Sequence, residues 1–224
     1  MKKLIIFVDG FPWSDASHID GIDFIRSSFP MVPSYGYSVN LHHELFAGKS
    51  PDDLGFFGDA NRKELINSSP PWFLKLLDWF RLKLPFISRV TYKIVSKLFK
   101  KPMAFLPPSL LSKFEFSGGY LLQLNDSLEI GGTNFEVICF DTKLKFGERD
   151  YAALERGKEL IDDAVENLIV AFTELDWVFH VNGFRSTKYN QKISTLTSQI
   201  KQLGDYYLSK FPDGEVVVVS DHGM

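Results

Sequence analysis

The sequence predicts an α/β protein whose sheet is mostly parallel and covered by helices on both faces. Segments such as LIIFV and VVVV are hydrophobic at every position, as strands are when both faces of a sheet are buried. Longer amphipathic segments, typical of helices, separate these strands along the chain. Such alternation favours parallel strands joined by helical connections.

The individual elements can be assigned in chain order. Strands are predicted at KKLIIFVDG, FEVICFD, DWVFHV and EVVVVSD. Helices are predicted at SVNLHHELFAG, which Gly48 ends, and then at RDYAALERGKELIDDAVENLIVAFTE and TSQIKQLGDYYLSKF. The long middle helix has a predicted apolar face, formed by Leu154, Leu160, Ile161, Val165, Leu168 and Ile169.

Length and composition limit the classes of function. A chain of 224 residues, 45% of them hydrophobic, is sufficient for one domain with an insertion. The net charge of −3 gives no indication of nucleic-acid binding. The single cysteine, Cys139, cannot form an internal disulfide, which favours a reducing compartment. The apolar run Leu4 to Val8 is too short for a secretory signal, so we expect a cytoplasmic protein.

A basic segment interrupts the otherwise acidic chain. Residues 69–118 contain nine lysines and arginines but only two acids, and clusters of helix breakers, NSSPP and SGG, border the segment. We therefore divide the chain into a first part of the core at 1–68, a helical insertion or cap at 69–118, and a second part of the core at 119–224.

Two interpretations of this insertion remain open. Lysines and arginines recur every three or four residues beside an apolar face, and tryptophans are frequent within 72–101. This pattern is typical of a helix that lies on an anionic membrane, which would place the protein at the inner face of the membrane. Alternatively, the segment is a cap over the active site with solvated lysines. Equal binding to neutral and anionic vesicles would exclude the electrostatic membrane contact. We expect no nucleic-acid partner.

Candidate functional residues follow the predicted strands and begin a predicted helix. Asp9 follows the first strand, and Asp221 and His222 follow the last one; ligands of open α/β sheets bind at these carboxyl ends. Ser38 begins a helix, whose free N–H groups favour an anion. Two carboxylates, an imidazole and a hydroxyl suit Zn²⁺ or a similar divalent cation. The predicted chemistry is displacement at phosphorus or sulfur, with Ser38 as metal ligand and nucleophile.

The same residues carry a resemblance to a known family. IIFVDG, PSYGYSVNLHHELFAGKSPDDLGFF and VVVVSDHGM resemble the alkaline phosphatase superfamily, in its type I phosphodiesterase/nucleotide pyrophosphatase branch. The resemblance implies a three-layer α/β/α fold and a bimetallic site. It assigns one metal to Asp9, Ser38, Asp221 and His222, with Ser38 as the nucleophile and Ser34 as the second candidate for that role.

The second metal site of the family has no clear counterpart. Asp176 and His180 have the family's Asp-x-x-x-His spacing, but a strand would place them about 13 Å apart, whereas a helix would make them adjacent. We predict a strand, and hence a structural His180. Arg185 and Tyr189 then occupy the positions of the second metal's acid and histidine. Arg185 or Lys188 would bind substrate phosphate, and we expect one metal, Zn²⁺ with Mn²⁺ or Mg²⁺ as alternatives.

Other positions depart from the family pattern. Asp59 aligns with an asparagine that holds phosphate in the diesterase branch, and the neighbouring Asn61 is the alternative. His42 and His43 are interpreted as surface or packing residues. Family members continue beyond SDHGM, so we expect the chain to be the amino-terminal portion of a longer protein.

The predicted function is a metal-dependent hydrolase or phosphotransferase that acts on a small-molecule phosphodiester, either nucleotide-type or lipid-linked. Two alternatives remain. One is a binding or membrane-associated module of the same fold with impaired catalysis. The other is a phosphomonoesterase or phosphomutase of the superfamily.

Overall fold

A computed structural model describes residues 2–31, 38–49, 60–62, 72, 76, 79, 114–116, 122, 125–139 and 143–223. The chain divides into two compact units. The first consists of residues 1–50 and 119–224, and the second of residues 51–118.

The regular elements within the described residues are seven strands and five helices. The strands are β1 (Lys3–Val8), β2 (Ala60–Arg62), β3 (Phe114–Phe116), β4 (Ser127–Ile130), β5 (Thr133–Ile138), β6 (Asn167–Phe172) and β7 (Glu215–Ser220). The α-helices are α1 (Ser38–Ala47), α2 (Arg149–Asp162), α3 (Glu174–Asn182) and α4 (Thr187–Lys210), and a 3₁₀ helix covers Trp13–His18.

The main sheet has the strand order β4-β5-β6-β1-β7. β1 lies between β6 and β7 and is parallel to both, and β5 is parallel to β6. Only β4 is antiparallel to its neighbour, because it forms a hairpin with β5. Gly131 and Gly132 make the turn with φ angles of 58° and 79°, a conformation that glycine adopts without strain. The prediction of a mostly parallel sheet is confirmed.

The sheet buries both faces because alternate side chains of a strand point in opposite directions. On one face, Leu4, Ile6 and Val8 pack with residues of α2 and α4. On the other face, Phe7 packs with Phe46 of α1. Helices therefore lie on both sides of the central strands, which confirms the predicted three-layer α/β/α architecture.

In two segments, the structure has the opposite type of element from the one predicted. The predicted long helix ends at Asp162, and NLIVAF is the central strand β6. The predicted strand DWVFHV is wrong, because this segment lies in helix α3. Val165 precedes the strand, and Leu168 and Ile169 belong to it rather than to a helix face. A short fully apolar run is compatible with a buried strand and with a buried helix, so its periodicity alone does not distinguish them.

A buried ionic group fixes the start of α3, and we call Asp150, Glu174 and Lys192 the capping cluster. Asp150 Oδ1 accepts hydrogen bonds from the backbone N–H of Thr173 and Glu174 at 2.9 and 3.3 Å. Glu174 Oε1 in turn accepts from the N–H groups of residues 147 and 149, at the start of α2. Lys192 Nζ lies 2.8 Å from Asp150 Oδ2 and 2.6 Å from Glu174 Oε2. The two helices therefore cap each other, since each supplies acceptors for the other's free N–H groups.

The described part of the second unit is small. β2 and β3 form an antiparallel pair, and Trp72, Leu76 and Trp79 have helical backbone with exposed side chains. The rest of the basic segment at 72–101 lies outside the described residues, so its contact with a membrane stays a prediction. Among the residues described, no helix has the length and apolar character needed to span a membrane.

Candidate metal centre

The parallel register brings the ends of three strands to one edge of the sheet. Val8 of β1 lies opposite Phe172 of β6 and Ser220 of β7. Asp9 directly follows β1 and Asp221 directly follows β7, so their carboxylates are neighbours. The sequence prediction that these two acids meet at the carboxyl edge is consistent with this geometry.

Asp9, Asp221 and His222 form a compact group that we call the cation cluster. One ligand atom from each of the three side chains lies within 4.8 Å of the others. His222 Nε2 is 3.4 Å from Asp9 Oδ1 and 3.6 Å from Asp221 Oδ2. The two acids are buried, and the His222 side chain is 23% exposed. The cluster is therefore open to solvent on its histidine side.

Backbone groups orient these side chains. The N–H groups of Gly10 and His222 donate to Asp221 Oδ1, at 3.3 and 3.0 Å, which turns Oδ2 toward the cluster. His222 Nδ1 lies 3.0 Å from the carbonyl oxygen of Gly223, which directs Nε2 to the two acids. Metal-binding histidines commonly use their second nitrogen in this way. A Cβ on Gly223 would lie 3.1 Å from Pro12 Cα, so a glycine suits this close approach.

The donor set fits a divalent cation. Asp9 Oδ1 and Asp221 Oδ2 are buried, and neither accepts a hydrogen bond from the part of the chain that the structure describes. Buried carboxylate oxygens normally have a partner, and a cation would supply one. The two histidine–carboxylate distances are also close to the separation of about 3.3 Å between neighbouring ligands of a tetrahedral zinc ion.

The charges of the cluster perturb the protonation of its members. Burial, and then the charge of Asp9, raises the pKa of Asp221 to about 7. Burial opposes a charge on His222, but its contacts with Asp9 and Asp221 outweigh burial and raise its pKa to about 9. In the metal-free protein, both groups therefore hold their protons more tightly, and these protons reduce the negative charge that a cation would otherwise neutralise. A divalent ion would displace these protons.

His42 lies beside the cluster and is not a surface residue. Its side chain is 2% exposed, and its Nε2 is 3.7 Å from Asp221 Oδ2. The ring packs edge-on against Phe7, at a centroid distance of 4.5 Å. Burial lowers the pKa of His42 to about 3, so the ring is neutral at physiological pH. The packing role predicted for His42 is consistent with the Phe7 contact, but its contact with Asp221 was not predicted.

Asp176 and His180 are adjacent, because helix α3 replaces the predicted strand. His180 Nε2 lies 3.3 Å from Asp176 Oδ1, one helical turn away. Burial, and then the charge of Asp9, raises the pKa of Asp176, so this acid is within electrostatic range of the cation cluster. The prediction that His180 is a strand residue is therefore wrong, because it lies in α3. The number of metal ions stays a prediction.

Several predicted site residues lie in parts that the structure does not describe. Ser38 is the first residue of α1, but its side chain is outside the described set, as is all of Ser34. Asn61 belongs to β2, again without a described side chain, and Asp59 lies outside the described residues. Their predicted roles remain predictions.

The predicted phosphate-binding cations lie at the junction of α3 and α4. Arg185 is exposed, and its guanidinium carbon lies 5.0 Å from the ring centroid of Phe184. Lys188 is exposed in the first turn of α4. Tyr189, assigned above to the position of a metal-binding histidine, is buried and donates a hydrogen bond to Asp15 Oδ2 at 2.7 Å. Tyr189 therefore has a structural role in the core.

The fold and the cation cluster define an α/β protein with a candidate divalent-cation site at the carboxyl edge of its sheet. The chain belongs to the type I phosphodiesterase / nucleotide pyrophosphatase family, whose model matches residues 4–224. This match confirms the resemblance inferred from the sequence motifs. The family consists of metal-dependent enzymes that act on phosphate esters or pyrophosphates, so the chain is a phosphoesterase. Among curated proteins, none matches this chain.

Proposed function

We propose that this protein hydrolyses, or transfers, the phosphoryl group of a small-molecule phosphodiester, with Ser38 as nucleophile. The observation that carries the proposal is the cation cluster, in which Asp9, Asp221 and His222 offer ligand atoms within 4.8 Å of one another. These three residues would hold a divalent ion, with Zn²⁺ favoured by the mixed nitrogen and oxygen ligands. When bound, such an ion acts as a Lewis acid that neutralises charge on a phosphoryl oxygen.

The protein's own residues would perform the following steps. The Ser38 hydroxyl would lose its proton to solvent water as its oxygen attacks phosphorus, and the P–O bond to one ester group would break. The departing oxygen would take a proton from water and leave as an alcohol or a phosphate. Water then hydrolyses the phosphorylated serine, or an acceptor alcohol takes the group. The position of Ser38 as the first residue of α1 supports this role, because the N–H groups of a helix's first turn favour developing negative charge.

Asp176 and His180 would hold a second ion. They are separated by one turn of α3, have the family's Asp-x-x-x-His spacing, and adjoin the cation cluster through Asp9. A buried Asp176 Oδ1 without a hydrogen bond in the described structure supports this assignment. Arg185 and Lys188 would attract substrate phosphate from the solvent side, and Asp59 or Asn61 would contact it.

A diester is preferred to a monoester because the family match covers phosphodiesterases and nucleotide pyrophosphatases. The alcohol part of that diester could be a nucleotide or a lipid head group. A phosphomonoesterase, a phosphomutase and a binding module with impaired catalysis are the alternatives.

Hydrolysis of a chromogenic diester and monoester, with Zn²⁺, Mn²⁺ or Mg²⁺, tests the proposal. We expect faster cleavage of bis(p-nitrophenyl) phosphate than of p-nitrophenyl phosphate. Ser38→Ala should lower kcat by at least about 10³-fold, because removal of a nucleophile leaves only binding effects. Ser209→Ala, in an exposed position of α4, is the matched control and should retain full activity. Unchanged activity of Ser38→Ala would disprove the role of Ser38, and a metal-loaded wild-type protein without activity would favour the binding module.

A further inference from the structure

His42 lies at the meeting point of three parts of the candidate site. It belongs to α1, one helical turn after Ser38. Its ring contacts Phe7 of β1, two residues before Asp9. Its Nε2 lies 3.7 Å from Oδ2 of Asp221, which follows β7. The side chain is only 2% exposed, so the surrounding residues fix its position.

The geometry assigns His42 as a positioning residue for Asp221, and through it for the cation site. Its Nε2–H would direct a dipole at Asp221 Oδ2 and hold this carboxylate oxygen in place for an ion. The inference rests on the proposed function, since it concerns the same site. Because His42 lies on α1, the helix that begins with the proposed nucleophile, it would link the position of this helix to that of the carboxylate that would bind the ion.

The contacts distinguish positioning from direct ligation. The three ligand atoms that lie within 4.8 Å of one another belong to Asp9, Asp221 and His222, and His42 is not a member of that group. At 3.7 Å, the contact with Asp221 is electrostatic rather than a hydrogen bond of ordinary length. Residues that contact metal ligands in this way commonly change metal affinity by 10- to 100-fold when they are substituted.

Oδ1 and Oδ2 of Asp221 are held by different groups. Oδ1 accepts from two backbone N–H groups, which fix one end of the carboxylate. Oδ2 faces the ligand group and His42, and within the described residues it accepts no hydrogen bond. Among the described side chains of α1, His42 is therefore the one placed to orient Oδ2 of Asp221, the oxygen that would bind the ion.

Zn²⁺ affinity, measured by titration of the full chain against a competing chelator, tests this assignment. His42→Gln places an amide nitrogen at the position of Nε2, whereas His42→Asn is one bond shorter and His42→Met has no N–H donor. We expect the Gln variant to bind Zn²⁺ within about threefold of wild type, and the Asn and Met variants about 10- to 100-fold more weakly. Melting temperatures of the metal-free proteins identify the variants that fold, and either the Asn or the Met variant suffices.

Phe46→Leu is the matched control. Phe46 lies one turn further along α1 and packs on the same Phe7 ring, at 5.7 Å between centroids. This variant should lower the melting temperature but leave Zn²⁺ affinity unchanged. If the Asn and Met variants bind Zn²⁺ as tightly as the Gln variant, His42 has a packing role only and the inference is wrong. If wild type binds no Zn²⁺, the proposed function fails, and the inference with it.

Discussion

The protein buries two groups of acids, and they differ in what surrounds them. In the capping cluster, Asp150 and Glu174 accept four backbone hydrogen bonds and share the ammonium group of Lys192. In the cation cluster, Asp9 Oδ1 and Asp221 Oδ2 accept no hydrogen bond from the described residues. Among the same residues, Asp150 Oδ2 has no hydrogen bond either, but Lys192 Nζ lies 2.8 Å from it, whereas in the cation cluster His222 Nε2 lies at the longer distances of 3.4 and 3.6 Å. Buried carboxylate oxygens normally have a partner, so this difference supports the proposal that the cation cluster binds a divalent ion.

This difference separates acids that stabilise the fold from acids that serve a function. The capping cluster supplies its own cation, so its removal should reduce stability. Among the described residues, no lysine or arginine pairs with the cation cluster, so its acids repel each other in the metal-free protein. Substitutions there should reduce metal binding and activity while costing little stability.

Lys192→Met should have the largest effect on stability. It leaves two carboxylates buried without their shared cation, which costs about 3–5 kcal/mol of unfolding free energy. Urea denaturation followed by circular dichroism measures this loss. The control is Lys201→Met on the same helix, where the exposed lysine pairs with Asp205 and should contribute less than about 1 kcal/mol. A loss below that value for Lys192→Met would mean that the capping cluster contributes little to the fold.

Asp221→Asn should separate activity from stability. The amide oxygen can still accept the two backbone hydrogen bonds made by Oδ1, whereas the amide nitrogen is not a metal ligand. We expect a fall in diesterase activity of at least about 100-fold, with metal-free stability equal to or above that of wild type. Asp162→Asn, an exposed acid that pairs with Lys210, is the control for activity. A large loss of metal-free stability in Asp221→Asn would contradict the distinction between the two clusters.

The pH dependence of the metal-free protein should show a smaller effect. His222 has a folded pKa of about 9, above the ordinary value of 6.5, so the folded state binds the proton more tightly. This stabilisation is complete below pH 6.5 and is lost as the pH rises to 9, with a slope of at most about 1.4 kcal/mol per pH unit.

Below pH 6.5, Asp221 and His42 have opposite effects on how stability changes with pH. The raised pKa of Asp221 makes stability fall as pH rises from 3.8 to 7, whereas the lowered pKa of His42 makes it rise from 3 to 6.5. The net fall should therefore begin near pH 6.5. Denaturation midpoints in chelator measure this curve, and His222→Asn should flatten its upper half. Stability that increases between pH 6.5 and 9 would contradict the proposed charge arrangement.

The sequence predicted those elements whose patterns are unambiguous. β1 and β7 are short, continuously apolar and next to charged residues, and Gly48 ends α1 with a φ of 60° as expected. Because the carboxyl ends of parallel strands share one edge, the two acids and His222 could be placed together before the structure was known. The hairpin strand β4 was not predicted, since its SLEI segment carries only a weak alternating pattern.

The wrong predictions at β6 and α3 show that local sequence patterns did not determine the type of these two elements. NLIVAF continues an amphipathic helix as well as it forms a strand, and DWVFHV has residues that are common in strands. The capping cluster decides between them, because Asp150 caps the N–H groups at the start of α3 from 24 positions earlier in the chain. A contact between residues so far apart is not visible in local periodicity.

By itself, the sequence determined the fold class, the family and the three residues of the cation cluster. The fold class and the family follow from local patterns. The three residues follow the ends of two strands, and they can be placed together because parallel strands end at the same edge of a sheet. The tertiary structure decided that Asp176 and His180 are adjacent and that His42 lies against Asp221. Both depend on the path of a helix, which long-range packing and capping fix and which sequence spacing does not.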